Sequence, residues 1–375
     1  MSKILIIGGG FGGLSAASRL YKLRDKLSVT LIDKKDTVDF LPMLPDCIGR
    51  GICPQALSYK IEKLARKFGF KFILKEVTAI DLDKKEASAG SEKFNYDYLI
   101  IASGSETNFY GNDNIKERAY TLDSVNDSGK IIEALRRRKF DNFIVGGGGY
   151  TGIEVATNLR LFLKNAKSPG RIIIVERSPA ILGPLPEWMK KYVISNLKRL
   201  EIEVFVNSTI DKIEEDKVYF SEGRIINNAF TIWAAGVKTA GFIQDLKIDK
   251  NPQGRIKVDE YLRLNDSCFI AGDAANFSYK NIFLRMAVQF AIIQGDSAAA
   301  NIIRDIKGLP LRKYRPLDLG YIIPMANNRS CGRVLGLNMK GVLPTIFHFI
   351  MCIYRSYGLK NKFAIIRDLI KGGRK

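Results

Sequence analysis

Histidine is almost absent: the 375-residue chain holds a single one, His348. One imidazole provides no ligand cluster, and no metal site is expected. The five cysteines form no CxxC pair, which speaks against a disulfide framework or a zinc centre. Long apolar runs are missing too. The tail segment GVLPTIFHFIMCIY is 14 residues long and includes Pro344 and His348, against the roughly 20 apolar residues a helix needs to cross a bilayer. No charged, apolar leader precedes the first strand, since Met-Ser-Lys runs straight into it, and a cytoplasmic compartment is expected. Acid is also in deficit. The formal charge is +20, and from Asn301 onward 15 Lys and Arg stand against 3 Asp. The basic excess is largely a property of the tail and points to an anionic partner. No basic segment interleaved with aromatics of the kind that reads DNA or RNA is present, so nucleic acid is not expected among the partners.

What the chain does have is ordinary globular stuffing, 46% hydrophobic and 26% charged, enough for two or three domains. Near its start the apolar run Lys3 to Ile7 reads as a fully buried parallel strand. Gly8, Gly10 and Gly13 follow at GxGxxG spacing, ahead of a helix with Leu14, Ala17 and Leu20 on one face. The first glycine permits the tight turn, the second lets backbone approach a pyrophosphate, and the third brings helix close to strand. The free N–H groups of the helix N-terminus favour phosphate there. The next strand, LSVTLID, ends at Asp33, twenty residues beyond Gly13, where a carboxylate can accept from both hydroxyls of an adenosine ribose.

Every part recurs. Gly147, Gly149 and Gly152 follow the strand Phe143 to Gly146, a helix with Ile153, Val155, Ala156 and Leu159 comes next, and GRIIIVERS ends a strand at Glu176. A Glu at that place favours a free 2′-hydroxyl over a 2′-phosphate. Farther along each copy a β-hairpin is expected, leading to an apolar strand that stops at a small-residue turn. These turns are Ala102-Ser-Gly104 in the first copy and Ala235-Gly236 in the second. One unit of about a hundred residues therefore appears twice. A later strand delivers Ala271-Gly272-Asp273 at its carboxyl end, the place where open α/β sheets bind ligands, and a short carboxylate there can fix a polyol chain.

With those motifs in hand, the chain resembles the two-dinucleotide-binding-domain flavoproteins, and among them the type II NADH:quinone oxidoreductases, over essentially its whole length. YDYLIIASGSETNFYG, TIWAAGVK and FIAGDAA match that family's stretches beyond the glycine turns, and FLPMLPDCIGRG is similar to its proline-leucine segment beside the flavin. The resemblance implies an α/β fold of two Rossmann-like domains in a glutathione-reductase-like FAD/NAD(P) architecture. It places the FAD domain in residues 1–110 and 255–330, the NADH domain in 111–254, and a C-terminal amphipathic membrane-binding segment in 331–375. FAD would be held by Gly8, Gly10, Gly13, Asp33, Gly104 and Asp273, and NADH by Gly147, Gly149, Gly152, Glu176 and Gly236.

The implied reaction passes hydride from NADH to FAD and then two electrons to a membrane quinone, without proton pumping. Glu154 matches a glutamate the family keeps near the reacting rings. Gln289 and Gln294 match glutamines that line the quinone slot, although Ile293 and Val288 replace a glutamine and an alanine of that pattern. The apolar residues Leu343, Ile346, Ile350, Ile353 and Tyr357 recur at helical spacing, with Phe347, Phe349 and Met351 beside them. Phe363 to Ile370 reads as a second amphipathic segment among Lys360, Lys362, Arg367, Lys371, Arg374 and Lys375. Such a tail fits peripheral attachment to an anionic surface on the cytoplasmic side of the cell membrane. The family also implies a homodimer. Two other readings remain: a sulfide:quinone oxidoreductase-like enzyme using Cys47 and Cys53, and a soluble NADH-dependent reductase of a small acidic electron carrier.

Overall fold

The computed structural model describes residues 1–23 and 25–372. They form two compact units, each drawn from three stretches of chain.

The first unit comprises residues 1–38, 59–106 and 237–318. Its centre is a six-stranded sheet in the order Arg263–Asn265, Cys268–Ile270, Tyr98–Ile101, Ser2–Ile7, Leu27–Asp33, Lys71–Leu74. All neighbours pair in parallel except the edge strand Arg263–Asn265. Ranked along the chain, the parallel strands lie 3-2-1-4-5, the dinucleotide-binding order, with its topological switch point beside the strand Ser2–Ile7. That strand is an Ile- and Leu-rich run because both of its faces are covered, and Ile4, Leu5, Ile6 and Ile7 are all buried. The helices Phe11–Leu20 and Val288–Ile306 pack on each other closely. A Cβ at Gly295 would stand 2.0 Å from the Gly12 carbonyl oxygen, so glycine there is a condition of the approach.

The second unit comprises residues 39–58, 107–236 and 319–375. Its four parallel strands lie in the order Ile202–Phe205, Arg171–Val175, Asn142–Gly146, Ala229–Trp233, again 3-2-1-4. The helices Val125–Arg137, Tyr150–Asn165 and Glu187–Arg199 contribute to one core with the sheet, built around Ile131, Val145, Ile153, Leu159, Ile174, Val193 and Phe230.

In each unit the expected hairpin is a three-stranded antiparallel meander. These are Ala79–Asp81, Glu86–Ala89 and Glu92–Asn95 in the first, and Ile210–Glu214, Lys217–Phe220 and Ile225–Ile226 in the second. From the last strand of each, the chain passes within two residues into the next parallel strand.

The end of the chain adds the meander Gly320–Ile323, Ser330–Val334 and Leu337–Gly341 and the helices Val342–Arg355 and Leu359–Gly372. The first of these helices stops before Tyr357, with Ser356 at its C-cap, and the second begins four residues ahead of Phe363. Leu343, Ile346, Phe347, Ile350, Tyr354, Leu359, Phe363 and Ile370 are exposed. Phe349 is drawn inward, its ring under the Arg50 guanidinium at 5.0 Å. Among the described residues no helix is long and apolar enough to cross a membrane; Arg374 and Lys375 lie outside the described residues.

Candidate functional site

The two glycine turns are the same object built twice. Gly8 has φ +106° and Gly147 φ +107°, a region closed to residues with a side chain. A Cβ on Gly8 would reach 2.3 Å from the Ala102 carbonyl oxygen, and one on Gly147 would reach 2.5 Å from that of Ala234. The third glycines are tighter still: a Cβ on Gly13 would be 1.8 Å from the Gly8 oxygen, and one on Gly152 would be 1.9 Å from the Gly147 oxygen. At the second glycines, Gly10 and Gly149, a Cβ would meet nothing within 4 Å. Those two positions front open space at the N-termini of the helices Phe11–Leu20 and Tyr150–Asn165, where backbone N–H groups face outward to receive an anion.

The acidic residues repeat as well. Asp33 accepts from the Gly9 N–H through Oδ2 at 2.5 Å and from the Lys35 N–H through Oδ1 at 2.7 Å. Glu176 accepts from the Gly148 N–H through Oε2 at 2.8 Å and from the Ser178 N–H through Oε1 at 2.8 Å. Each carboxylate thus locks the turn it faces while standing at the strand end a ribose would occupy.

Around Asp273 the first unit adds a buried scaffold. Ser105 Oγ donates to Asp273 Oδ2 at 2.9 Å, and burial raises the Asp273 carboxyl above its ordinary range, against the Ser105 hydrogen bond and the nearby Arg255. Arg255 is only 5% exposed. It donates to the carbonyl oxygens of Asp273, Ala275 and Leu284 at 3.1, 2.5 and 2.9 Å, so one guanidinium holds the whole strand end. Gly272 has φ +71°, and its N–H donates to Gln294 Oε1 at 2.8 Å. Gln294 is therefore a turn-holding residue. Gln289 donates to Asp318 Oδ1 at 3.0 Å, and Asp318 is clamped by both terminal nitrogens of Arg285. Both glutamines are buried. Gly104, φ +69°, has open space where a Cβ would point.

In the second unit Gly236, φ +141°, is met by Tyr110, whose hydroxyl would be 2.4 Å from a Cβ there and donates to the Ala235 carbonyl at 2.9 Å. Arg177 lies over the Tyr110 ring at 5.5 Å, so an exposed aromatic shelf with a cation on it borders this turn. Sequence reasoning missed Tyr110, Ser105 and Arg255. The Tyr110-Gly111 turn, both residues at positive φ, was the only local signal for the first, and Arg255 sits in a loop with no motif around it.

The family profile described as pyridine nucleotide-disulphide oxidoreductase matches residues 2–295. The chain belongs to that family. Among curated relatives it is 26% identical to the demethylphylloquinone reductase NdbB of Synechocystis, over 94% of this chain and 92% of the other. It is 25% identical to the type II NADH:quinone oxidoreductase of Staphylococcus aureus, over 90% of this chain and 91% of the other. In fold it is similar to NDH2 from Plasmodium falciparum, solved in complex with NADH, with a TM-score of 0.85 at 19% identity over 99% and 98% of the two chains. It is likewise similar to the sulfide:quinone oxidoreductase of Aquifex aeolicus, with a TM-score of 0.78 at 20% identity over 94% and 90%.

For a pyridine nucleotide-disulphide oxidoreductase the cysteines are of interest, and all five are free. Cys47 is buried, and burial together with the neighbouring Asp46 pushes its thiol well above the ordinary range. The thiol is therefore a poor source of thiolate. Cys53 is exposed, and its thiol donates to Gln55 Oε1 at 3.0 Å.

Glu154 lies on the helix Tyr150–Asn165, one turn beyond the second glycine turn, half-buried. Burial, reinforced by the charge of Asp46, holds its carboxyl well above the usual range. It is not a solvated helix residue.

Proposed function

We propose that the protein is an FAD-dependent NADH:quinone oxidoreductase. What carries the reading is the duplicated turn, down to the paired hydrogen bonds of Asp33 and Glu176, in a chain whose second copy keeps its acid. The first unit suits a flavin: Gly8, Gly10, Gly13 and Asp33 for the ADP half, Gly104 beside it, and Asp273 for the ribityl chain. The second suits NADH through Gly147, Gly149, Gly152, Glu176 and Gly236, and the Glu176 carboxylate would repel a 2′-phosphate. Bound FAD supplies a hydride acceptor that can pass electrons on to a quinone.

The chain's own residues bind, orient and manage protons. The two helix N-termini receive the pyrophosphates, and Arg255 and Gln294 keep the Asp273 turn in one conformation. Glu154, whose carboxyl burial holds well above the usual range, would be the proton donor beside the nicotinamide turn. Gln289 and Gln294 border the acceptor side. The exposed apolar rows of the last two helices, with Lys360, Lys362, Arg367 and Lys371 among them, dock on an anionic membrane surface from the cytoplasmic side, where a lipid-soluble acceptor is reached.

Anaerobic mixing of the yellow protein with NADH should bleach the flavin band, and a short-chain quinone should restore it. A flavin untouched by NADH but bleached by sulfide would overturn the assignment. For the tail, the full-length Phe347→Glu, Ile350→Glu, Phe363→Glu triple variant should lose co-sedimentation with anionic vesicles, and undiminished binding would refute the membrane surface.

A further inference from the structure

The two helices of the first unit that cross at Gly12 and Gly295 also border a cavity at their C-terminal ends. Its volume is about 190 Å³, many times the ~15 Å³ that one water needs. Arg19, Arg304, Lys307 and Arg312 line it, and no acidic residue does. Ala300, Ile303 and Leu309 supply the rest of the wall. None of the roles above uses this place. The glycine turn that suits a pyrophosphate stands at the other end of the helix Phe11–Leu20, roughly 15 Å away for ten residues of helical rise.

Cations at a helix C-terminus commonly answer its free carbonyls, but here backbone answers them. The Arg304 carbonyl accepts from the N–H groups of Lys307 and Leu309 at 3.1 and 2.8 Å, and the Asp305 carbonyl accepts from that of Gly308 at 2.8 Å. Acids do not neutralise the cluster either. Arg19 reaches Asp296 only at 3.7 Å, with both side chains a third or more exposed, a geometry worth little in water. Asp305 is engaged by the Tyr98 hydroxyl at 2.5 Å. Among the described residues Arg304, Lys307 and Arg312 form no ion pair, whereas Lys313, the next residue, is matched by Glu260 at 2.8 Å. Four positive charges thus face one space, and their mutual repulsion is relieved when an anion enters.

The frame around that space is fixed. Ala300, Ile303, Arg304 and Lys307 fall at i, i+3, i+4 and i+7, one stripe along the end of the helix Val288–Ile306. Asn301 is 1% exposed and commits both ends of its amide to the facing loop. Its Nδ2 donates to the Arg312 carbonyl at 3.0 Å, and its Oδ1 accepts from the Arg312 N–H at 2.9 Å. Gly308, at φ +67°, makes the turn into this loop, and Arg304 Nε ties it down through the Pro310 carbonyl at 2.5 Å. Arg19 comes from the other helix, which the glycine crossing holds in place.

We propose that this cavity binds a phosphate monoester, its phosphoryl group on the guanidinium groups of Arg19, Arg304 and Arg312 and the ammonium of Lys307, and its apolar substituent on Ala300, Ile303 and Leu309. Guanidinium forks match phosphate oxygens two at a time. A monoester carries close to two negative charges near neutral pH, which suits four cations better than a single carboxylate would. The apolar wall favours an organic ester over the bare ion. Soluble esters and the phosphatidic acid headgroup of a bilayer share this chemistry. The site is independent of what the two glycine turns hold and of the electron acceptor.

Calorimetric titration of the full-length protein with phenyl phosphate and with inorganic phosphate tests the assignment. Wild type should bind phenyl phosphate more tightly than inorganic phosphate; equal affinities overturn the ester. The Lys307→Glu, Arg312→Glu double variant breaks no hydrogen bond made by either side chain. It should keep the circular dichroism and thermal midpoint of wild type and bind phenyl phosphate at least about tenfold more weakly. A Lys164→Glu, Lys247→Glu variant makes the same change of charge at exposed positions elsewhere and should bind as wild type does. Co-sedimentation with phosphatidylcholine vesicles, with and without phosphatidic acid, separates the two sources. A loss confined to the cavity variant and to phosphatidic acid supports the cavity with a lipid headgroup as its ligand; unchanged sedimentation beside lost phenyl phosphate binding supports it with a soluble ester. The site is refuted if the cavity variant matches wild type with both probes, or if the control variant loses as much.

Discussion

The two glycine turns have the same φ angles, the same forbidden Cβ positions and the same doubly used carboxylate, yet what surrounds them differs. The first is backed by a buried apparatus. Arg255 gathers three carbonyls, Gln294 pins Gly272, and Ser105 holds Asp273. The second is bordered by the exposed Tyr110 and Arg177. A ligand in the first would be held by buried, multiply bonded groups; one in the second would lie beside exposed side chains, with Tyr110 tied to the Ala235 carbonyl by one hydrogen bond. This is the asymmetry expected of one resident and one exchanging nucleotide, and it arises outside the motif that both share.

The comparison can be broken most forcefully at the third glycines. Gly13→Val should give a colourless protein, whereas Gly152→Val should keep its flavin and lose reduction by NADH; absorbance of the purified variants decides, and loss of flavin in both would show that the sites are not separable. Next in size is Arg255→Ala. It strands three carbonyls and the neighbouring carboxyl, and should cost about 4 kcal/mol in chemical denaturation, with flavin release preceding unfolding.

The second unit offers a pH test of its own buried acid. Asp46 is raised from 3.8 to about 6 in the folded protein, so the native state binds more protons than the unfolded chain between those values. Its contribution to stability is therefore full below about pH 4 and falls by close to 3 kcal/mol as pH rises to 6. Asp46→Asn should flatten that part of the denaturation profile. The smallest effect belongs to Glu176→Ala. Losing one charged hydrogen-bond acceptor should lower kcat/KM for NADH about tenfold and narrow the preference over NADPH, while Asp33→Ala should alter flavin content instead.

Much of this architecture was legible in the chain because it is periodic. Buried parallel strands are apolar runs, glycine spacing is dictated by where a Cβ cannot go, and a duplicated unit checks itself. The C-terminal helices were recognisable in kind but not in extent. Tyr357 continues the apolar spacing, yet the chain leaves the helix at Ser356, and Phe349 turns inward because Arg50, some three hundred residues away in sequence, lies over its ring. Gln289 and Gln294 were legible as positions but not as bonding partners, since what a helical glutamine holds is decided by whichever backbone folds against it. Arg255 carries no motif at all, and nothing in the stretch FLPMLPDCIGRG marks Asp46 as a buried charge. A buried charge announces itself only through partners brought together by the tertiary fold.

The glycine-on-glycine crossing of the helices Phe11–Leu20 and Val288–Ile306, with Ser15 Oγ donating to the Ile292 carbonyl at 2.7 Å beside it, leaves no slack between them. Neither helix can drift to suit a bulkier or slimmer electron acceptor. On the proposed reading, in which this helix borders the acceptor, a change of acceptor would fall to side chains such as Val288 and Ile293 and not to the position of the helix.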